Sequence, residues 1–204
     1  MSTPKFIAVA GNIGAGKTEL TDFLCRRYGL QPFFEPNDTN PYLADFYKDM
    51  KRWAYRSQMF FLTRKFRLHL ELQEHPEPVI QDRTLYEDAE IFARNLHLQR
   101  FIERRDFQVY WELYQSIAAS LRPPDLMIQL RCPVRTLRKR IRARGRAMEQ
   151  DIPANYLSRL NRLYHQWFEN YRLSPVIRLE TDQLDWLTDL VDRADLFRRL
   201  DKFL

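Results

Sequence analysis

The sequence predicts a three-layer α/β fold in which a five-stranded parallel sheet is flanked by helices, with most residues in helices. Short, continuously apolar runs alternate with long amphipathic stretches along the 204 residues. Continuous apolar runs are typical of parallel strands that are covered on both faces. Alternating strands and helices then require right-handed crossovers between parallel strands. The length suits a single domain, residues 1–204, and no repeat or linker divides it.

Each predicted element follows from one of these runs. The strands are Phe6–Ala10, Gln31–Glu35, Val79–Gln81, Leu126–Leu130 and Val176–Leu179. The helices are Thr18–Tyr28, about Pro41–Glu74, Tyr86–Arg100, Phe107–Leu121, Val134–Ala143, Pro153–Tyr171 and Trp186–Leu200. The first run is too short for a signal-peptide core, and no run approaches the roughly 20 residues of a membrane helix. We therefore expect a cytoplasmic protein that does not contact a membrane.

The first strand leads into a glycine-rich loop that matches the pattern G-x-x-x-x-G-K-[ST]. The loop consists of Gly11, Asn12, Ile13, Gly14, Ala15, Gly16, Lys17 and Thr18, and it holds three of the five glycines. Glycines allow backbone N–H groups to turn toward phosphate oxygens. Lys17 would neutralise the β- and γ-phosphates, and the Thr18 hydroxyl would bind Mg²⁺. The motif, followed by a helix whose positive end faces the phosphates, predicts a site for ATP and Mg²⁺.

Acidic residues follow the second and third strands, where a parallel sheet presents its ligand crevice. Glu35 would act as a general base on an acceptor hydroxyl, or it is an ordinary acid in a turn. Asp82 would hold Mg²⁺, directly or through water. Its neighbour Arg83 would contact the transferred phosphoryl group or the acceptor oxygen. The alternative interpretation of Asp82 and Arg83 is that they form a structural ion pair.

A basic segment follows the fourth strand. The net charge is +6, and much of the excess lies between Arg131 and Arg146. Arg140 and Arg144 are four residues apart, so they share one helix face, and Gly145 follows as a candidate hinge. Closing over ATP, this lid segment (about residues 138–150) would stabilise charge on the γ-phosphate. A nucleic-acid patch and a solvated helix face are the alternatives, and composition does not decide between them.

Aromatic residues and one amide mark a candidate acceptor pocket. Gln58 offers both a donor and an acceptor, which suits the edge of a base. Phe60, Phe61 and Phe92 are candidates for stacking on a ring, although Phe60 and Phe61 taken singly are more typical of a core.

The two cysteines, Cys25 and Cys132, fit no metal or CxxC spacing and are expected to be buried, reduced thiols.

Taken together, these motifs resemble the deoxynucleoside kinases of the deoxycytidine/deoxyguanosine kinase type. The resemblance covers nearly the whole chain in order, and Gln81–Ala93 is especially similar to the bacterial branch. It implies that Glu35 activates the deoxyribose 5′-hydroxyl and that Arg83 supports the same oxygen. Tyr47 and Glu149 would hold the 3′-hydroxyl.

The resemblance also assigns the remaining site residues. Gln58 would bind the base edge, Asp88 would add a polar contact to it, and Trp53 and Phe92 would shape the pocket. The lid residues would be Arg140, Arg144 and Arg146, and the loop at Thr181 and Asp182 would lie near the adenine. Lys17, Arg140 and Arg144 join Glu35 and Arg83 as the expected catalytic set. Members of the family are typically homodimers built from two long helices per subunit, and Pro41–Glu74 is a candidate for one of them.

Three departures from the family pattern bear on the substrate. Asp82-Arg83-Thr84 replaces Glu-Arg-Ser with equivalent chemistry, and Met148 takes the place of the first of two acids after the lid. A base-contacting arginine of some members corresponds to Lys65, with Arg64 beside it, and the choice between the two stays open. Asp88 resembles the purine- and cytosine-accepting members. The expected substrate is therefore deoxyadenosine or deoxyguanosine, with deoxycytidine as a further candidate.

Two other functions compete with this interpretation. A nucleoside monophosphate kinase of the thymidylate kinase type would share the loop, the Asp-Arg pair and the lid. Its acceptor is already a phosphate and favours arginine over a carboxylate base, so Glu35 supports the deoxynucleoside kinase. A P-loop switch or nucleic-acid-binding protein is less well supported, because no Asn-Lys-x-Asp motif occurs and the basic residues lie where a lid belongs. We expect a small-molecule partner and no nucleic acid.

Overall fold

The computed structural model describes residues 5–34, 39–182 and 190–203. Its centre is a five-stranded parallel sheet in the order β2-β3-β1-β4-β5. The strands are β1 (Phe6–Gly11), β2 (Gln31–Phe33), β3 (Val79–Asp82), β4 (Leu126–Arg131) and β5 (Val176–Glu180). The predicted parallel α/β sheet is confirmed, and each strand begins at its predicted residue.

Helices cover the sheet and hold most of the residues, as predicted. They are α1 (Lys17–Tyr28), α2 (Leu43–Lys48), α3 (Met50–Gln73), α4 (Leu85–Glu87), α5 (Arg94–Leu98), α6 (Arg104–Ser120), α7 (Val134–Arg144), α8 (Ala154–Asn170) and α9 (Leu190–Leu200). A 3-10 turn, Ala147–Glu149, follows α7. The predicted start of the last helix, Trp186, lies outside the described residues.

The long helix predicted over about Pro41–Glu74 is two helices. The helix is interrupted at Asp49, whose backbone is extended (φ −142°, ψ 82°). The Asp49 carboxylate accepts a hydrogen bond from the Arg52 N–H at 3.1 Å and so caps α3. Aspartate is among the preferred N-cap residues because it satisfies a donor that the helix leaves open. The apolar periodicity alone does not reveal this break.

The helix predicted over Tyr86–Arg100 contains a π-helical turn. It runs as α4, a π turn at Asp88–Ala93, and α5. Turns of this kind inside α-helices are rare and occur frequently at functional sites. Here the π turn carries Asp88 and Phe92, two of the predicted substrate-binding residues.

The core explains how the elements are held. All six residues of β1 are buried, since neighbouring strands and helices on both faces enclose them. A second apolar cluster joins α3, α4 and α6 through residues such as Leu62, Leu85 and Tyr110. Cys132 is buried as predicted, whereas Cys25 is half-buried. Both are free thiols, and burial raises the pKa of both, that of Cys25 to about 11. Within the described ranges, no helix combines the length and apolar character needed to span a bilayer.

Candidate active site

A cleft of about 360 Å³ opens at the carboxyl edge of the sheet. The loop after β1, the end of β3, helix α3 and the turn after α7 all contribute to its wall. Most of the residues predicted for the site line it, namely Ile13, Gly14, Lys17, Thr18, Tyr47, Gln58, Asp82, Arg83, Asp88, Phe92, Arg144, Arg146 and Glu149. Residues that are far apart in the sequence thus share one cleft, as the strand-end argument predicted.

The glycine-rich loop has the conformation that an anion cradle requires. Gly14 and Gly16 have positive φ angles of 78° and 94°. A Cβ atom at Gly14 would lie 3.0 Å from the carbonyl oxygen of Leu137. Gly16 precedes α1 and carries no side chain that could cap it, so the first N–H groups of the helix face the loop. Backbone donors and the side chain of Lys17 together make a site for phosphate oxygens.

Thr18 and Asp82 meet at the expected metal site. The Thr18 hydroxyl donates a hydrogen bond of 2.6 Å to Oδ2 of Asp82. The other oxygen, Oδ1, is buried and has no hydrogen-bond partner among the described residues. A hydroxyl beside a carboxylate with an unused oxygen matches the oxygen ligands that Mg²⁺ prefers. These two side chains therefore fit the predicted ion.

Arg83 is held in an unusual backbone conformation. Its φ angle is 62°, a conformation that costs a residue with a side chain about 1–3 kcal/mol. Its N–H donates to the carbonyl of Val9 at 3.0 Å, and its guanidinium donates to the carbonyl of Gly11 at 3.3 Å. The guanidinium also lies 4.4 Å from the ring centre of Phe92. The turn after β3 thus directs this cation at the first residue of the glycine-rich loop.

Buried polar groups from α3 and the π turn also line the cleft. Asp88 pairs with Lys65, whose ammonium lies 2.9 Å from each carboxylate oxygen. Gln58 is buried, and its side-chain oxygen has no hydrogen-bond partner within the described part of the chain. The neighbouring Ser57 accepts a hydrogen bond from the Asn40 amide at 3.1 Å. The sequence left open whether Arg64 or Lys65 corresponds to the base-contacting arginine of some family members. Lys65 is buried and points to Asp88, whereas Arg64 is exposed and lies over Phe60.

The lid turn closes on a buried carboxylate. Glu149 is buried and forms ion pairs with Arg144 and with Arg146, the latter at 3.4 Å. Gly145, the candidate hinge, ends α7 with a left-handed backbone (φ 74°). Tyr47 lines the same cleft from α2. Two lid cations and one acid therefore meet at the wall of the cleft.

Arg140 connects the lid helix to two other segments. It donates to the carbonyl of Ala15 in the glycine-rich loop at 3.2 Å. It also donates to the Thr181 hydroxyl at 3.1 Å and to the Thr181 carbonyl. Thr181 is buried and the adjacent Asp182 is exposed. The structure thus brings Thr181, predicted near the adenine, to the phosphate loop.

Glu35 and Trp53 need separate treatment. Glu35 falls within residues 35–38, which lie outside the described residues; Phe34, just before it, lines the cleft. Trp53 does not belong to the described cleft wall, and its ring stacks on Tyr42 with centroids 5.7 Å apart. Five residues along a helix turn a side chain by about 140°, so Gln58 and Trp53 face different sides of α3.

The cleft also contains residues that the sequence did not single out for it. Leu43 and Phe46 contribute from α2, and Tyr156 contributes from α8. Burial raises the pKa of Tyr156, while the charge of Arg83 acts in the opposite direction. No local motif surrounds Tyr156, since its contact with the site arises from helix packing. Leu43 and Phe46 precede Tyr47 at helical spacing, which is a usable but weak signal.

The sequence is similar to known deoxynucleoside kinases. A family model described as deoxynucleoside kinase matches residues 7–204. Deoxyadenosine kinase from Lactobacillus acidophilus is 33% identical over 97% of this chain and 95% of its own. Deoxyguanosine kinase from Lactobacillus johnsonii is 34% identical over 95% of this chain and 90% of its own.

The fold is similar to that of a solved relative. Deoxyadenosine kinase from M. mycoides, with the products dCMP and a flexible dCDP bound, superposes with a TM-score of 0.86. Its sequence identity is 28%, and the match covers 97% of this chain and 99% of that one. The glycine-rich loop, the Asp82-Arg83 turn and the lid thus belong to a chain that is similar to these enzymes along its whole length. The chain is a member of the deoxynucleoside kinase family.

Proposed function

We propose that this enzyme transfers the γ-phosphate of ATP to the 5′-hydroxyl of a purine deoxynucleoside, deoxyadenosine or deoxyguanosine. The observation that carries the proposal is one cleft lined by two chemically different sets of residues. Lys17 and the glycine-rich loop supply donors for an anion, and Gln58 and Asp88 supply buried polar groups in the same cleft. Such a cleft suits a polyphosphate donor facing a nucleoside acceptor.

The chain's cations would stabilise the transferred group. Phosphoryl transfer depends mainly on positioning and on neutralising charge at the phosphoryl oxygens. Lys17, Arg83 and Arg144 line the cleft and supply that charge. Thr18 and Asp82 would hold Mg²⁺, which when bound neutralises the β- and γ-phosphates. Arg140 would keep the loop and Thr181 together around the donor nucleotide.

Glu35 is the proposed general base. It directly follows Phe34, a residue of the cleft wall, and the second strand of the sheet. A carboxylate at that point would accept the proton of the 5′-hydroxyl as the oxygen attacks phosphorus. Tyr47 and Glu149 would hold the 3′-hydroxyl, and Phe92 would contact the base.

The proposed base preference rests on two buried polar residues of the cleft. Gln58 offers a donor and an acceptor, and Asp88 offers a carboxylate held by Lys65. The similarity to a deoxyadenosine kinase and a deoxyguanosine kinase supports a purine. The related M. mycoides deoxyadenosine kinase has been solved with dCMP and dCDP, which supports deoxycytidine as a second substrate.

A phosphorylation assay tests the proposal directly. MgATP is supplied with deoxyadenosine, deoxyguanosine, deoxycytidine or thymidine, and separately with dTMP or dCMP. We expect a purine deoxynucleoside to be the best acceptor and Glu35→Gln to abolish its phosphorylation. Glu74→Gln, a change at the end of α3, is the control and should retain activity. Turnover of a monophosphate alone would instead indicate a thymidylate kinase type of reaction, which the named relatives do not favour.

We also propose a homodimer formed through α3 and α6. The two helices pack against each other, and each leaves apolar side chains exposed. Leu70 of α3 is 42% exposed, and Val109 and Leu113 of α6 are 61% and 40% exposed. Sedimentation equilibrium should give twice the chain mass of 24.8 kDa, and Val109→Glu with Leu113→Glu should give the monomer mass. Leu98→Glu, at another exposed leucine, is the control, and a monomeric parent protein would refute the proposal.

The proposed compartment is the cytoplasm. Both cysteines are free thiols, which fits a reducing environment. Cell fractionation followed by activity measurement tests the location, and activity confined to an oxidising compartment would contradict it.

A further inference from the structure

Glu87 is a fully buried carboxylate one turn beyond Arg83. It is the third residue of the short helix α4 and forms a capping box with Thr84. Its Oε2 accepts hydrogen bonds from the Thr84 N–H at 3.0 Å and from the Thr84 hydroxyl at 3.4 Å. A capping box requires only that one oxygen be used at the helix start. The other oxygen is free to bind a different part of the protein.

That second oxygen binds the glycine-rich loop. Oε1 of Glu87 accepts a hydrogen bond of 3.1 Å from the Gly11 N–H, the first amide of the motif. It also accepts from the hydroxyl of Tyr164 on α8 at 2.8 Å, and that hydroxyl lies 2.9 Å from the Gly11 carbonyl as well. One carboxylate therefore connects the phosphate loop, the turn after β3 and helix α8.

Arg83 completes the arrangement from the other side of Gly11. Its guanidinium donates to the Gly11 carbonyl, while Glu87 binds the Gly11 N–H. Both main-chain groups of the first loop residue are thus tied to the segment 83–87. Burying an ionised carboxylate is unfavourable unless hydrogen bonds compensate for lost hydration. Here the compensating bonds set the distance between the phosphate loop and the arginine.

We propose that Glu87 is a positioning residue for phosphoryl transfer, with Tyr164 as its partner. It holds Arg83 and the glycine-rich loop in one fixed relation, so that the cation and the phosphate donors act on the same phosphoryl group. Its effect is on catalysis more than on binding, because ATP and the nucleoside each still find their own contacts. This inference rests on the proposed kinase function of the cleft.

Glu87→Gln and Tyr164→Phe test the proposal. The glutamine would set its N–H₂ group against a donor, and the phenylalanine removes one hydroxyl. We expect kcat to fall by about 30–100-fold in Glu87→Gln and about 3–10-fold in Tyr164→Phe, since small misplacements can cost up to about 100-fold. KM for ATP and for the nucleoside should stay within about threefold, as expected for positioning that acts in the transition state.

Glu90 and Tyr114 provide matched controls on the same segment. Glu90 is a half-buried carboxylate that accepts from the Tyr114 hydroxyl at 3.4 Å and pairs with Arg94, away from the cleft. Glu90→Gln and Tyr114→Phe should leave kcat within about twofold of the parent enzyme, as for changes outside the site. A loss of kcat in these controls equal to that in Glu87→Gln would overturn the proposal.

A double-mutant cycle with Arg83→Ala separates positioning from general destabilisation. If Glu87 acts through Arg83, then Glu87→Gln should lower kcat by less than about threefold in the Arg83→Ala background. An undiminished effect there would refute the proposal. Should Glu87→Gln fail to fold, Tyr164→Phe is carried through the same cycle. Each kcat ratio between variant and parent is measured with the acceptor that the parent enzyme phosphorylates best. If the proposed deoxynucleoside function is wrong, the parent enzyme's choice of acceptor shows this independently of the variants.

Discussion

Lys65 and Asp88 form a buried ion pair at the wall of the cleft, with the ammonium 2.9 Å from both carboxylate oxygens. Their side chains are 0% and 4% exposed. Charges this far from water are tolerated only when each has the other and further hydrogen bonds. The pair holds Asp88 in one orientation on the π turn, where it lines the cleft. The lysine thus supports the acid that we propose contacts the base.

Removing the lysine should harm both stability and substrate binding. Lys65→Met leaves a buried carboxylate without its counter-charge, which destabilises proteins by about 3–5 kcal/mol. We expect a similar loss in the free energy of unfolding, measured in urea, and a KM for the purine deoxynucleoside that rises at least about tenfold. Arg64→Met, at the exposed neighbour, should change stability by about 0.5 kcal/mol or less. Equal effects of the two substitutions would show that the pair does not support the site.

Two glycines with left-handed backbones allow a matched test of the phosphate loop. Gly14 (φ 78°) and Gly29 (φ 67°) would both be strained by alanine. Only at Gly14 would the new Cβ meet other atoms, at 3.0 Å from Leu137 O and Ile141 Cγ1, whereas the space at Gly29 is open. Gly14→Ala should lose most ATP binding and activity. Gly29→Ala should lower stability by about 1 kcal/mol and keep normal kinetics.

The comparison is made by titrating ATP against each variant and by thermal unfolding. Loss of ATP affinity in Gly29→Ala as well would mean that backbone strain, rather than crowding at the loop, explains the result. Normal ATP affinity in Gly14→Ala would contradict the prediction that ATP binding requires a glycine at this position.

Arg140 should act through geometry as well as charge. Its guanidinium bonds to Ala15 and to two oxygens of Thr181, and a lysine keeps the charge but cannot reproduce the planar fork. We expect Arg140→Lys to lower kcat/KM for ATP by about 10–100-fold, the loss of two or more charged hydrogen bonds. Arg138→Lys, at an exposed position of the same helix, should leave the kinetics unchanged. Equal kinetics of the two variants would assign the lid a purely electrostatic role.

The parts of the site that follow from local rules were predictable from the sequence. The glycine-rich loop, Asp82 and Arg83 lie at strand ends, and the parallel topology brings strand ends together. Each strand also begins at the residue predicted for it. Periodicity gave helices but missed the break at Asp49, because one capping aspartate hardly alters an apolar pattern.

Long-range packing decided the rest. Lys65 and Asp88 are 23 residues apart, and nothing in either segment indicates that the two side chains meet. The role of Glu87 could not be predicted from the segment Gln81–Ala93 alone, since its partners Gly11 and Tyr164 lie in distant elements. Trp53 was assigned to the pocket by resemblance, and the helix rotation that places Gln58 in the cleft turns Trp53 toward Tyr42.

His69 gives the fold a predictable dependence on pH. It is buried on α3, its Nε2 lies 2.9 Å from the Arg122 carbonyl, and Nδ1 has no partner among the described residues. Burial lowers the pKa of His69 below the usual value of about 6.5, although the bond to Arg122 opposes this. Just below pH 6.5, the unfolded chain therefore binds a proton at His69, whereas the folded protein keeps the imidazole ring neutral.

Stability should consequently fall as the pH drops below about 6.5, because only the unfolded state gains the proton in that range. Above this pH the contribution is complete, and the slope for one proton cannot exceed about 1.4 kcal/mol per pH unit. Unfolding in urea between pH 7.5 and 5 measures it. His69→Gln should flatten the profile in this window, while His165→Gln, at an exposed histidine, should leave it unchanged. A profile that His69→Gln leaves as steep as before would assign the pH dependence to other groups.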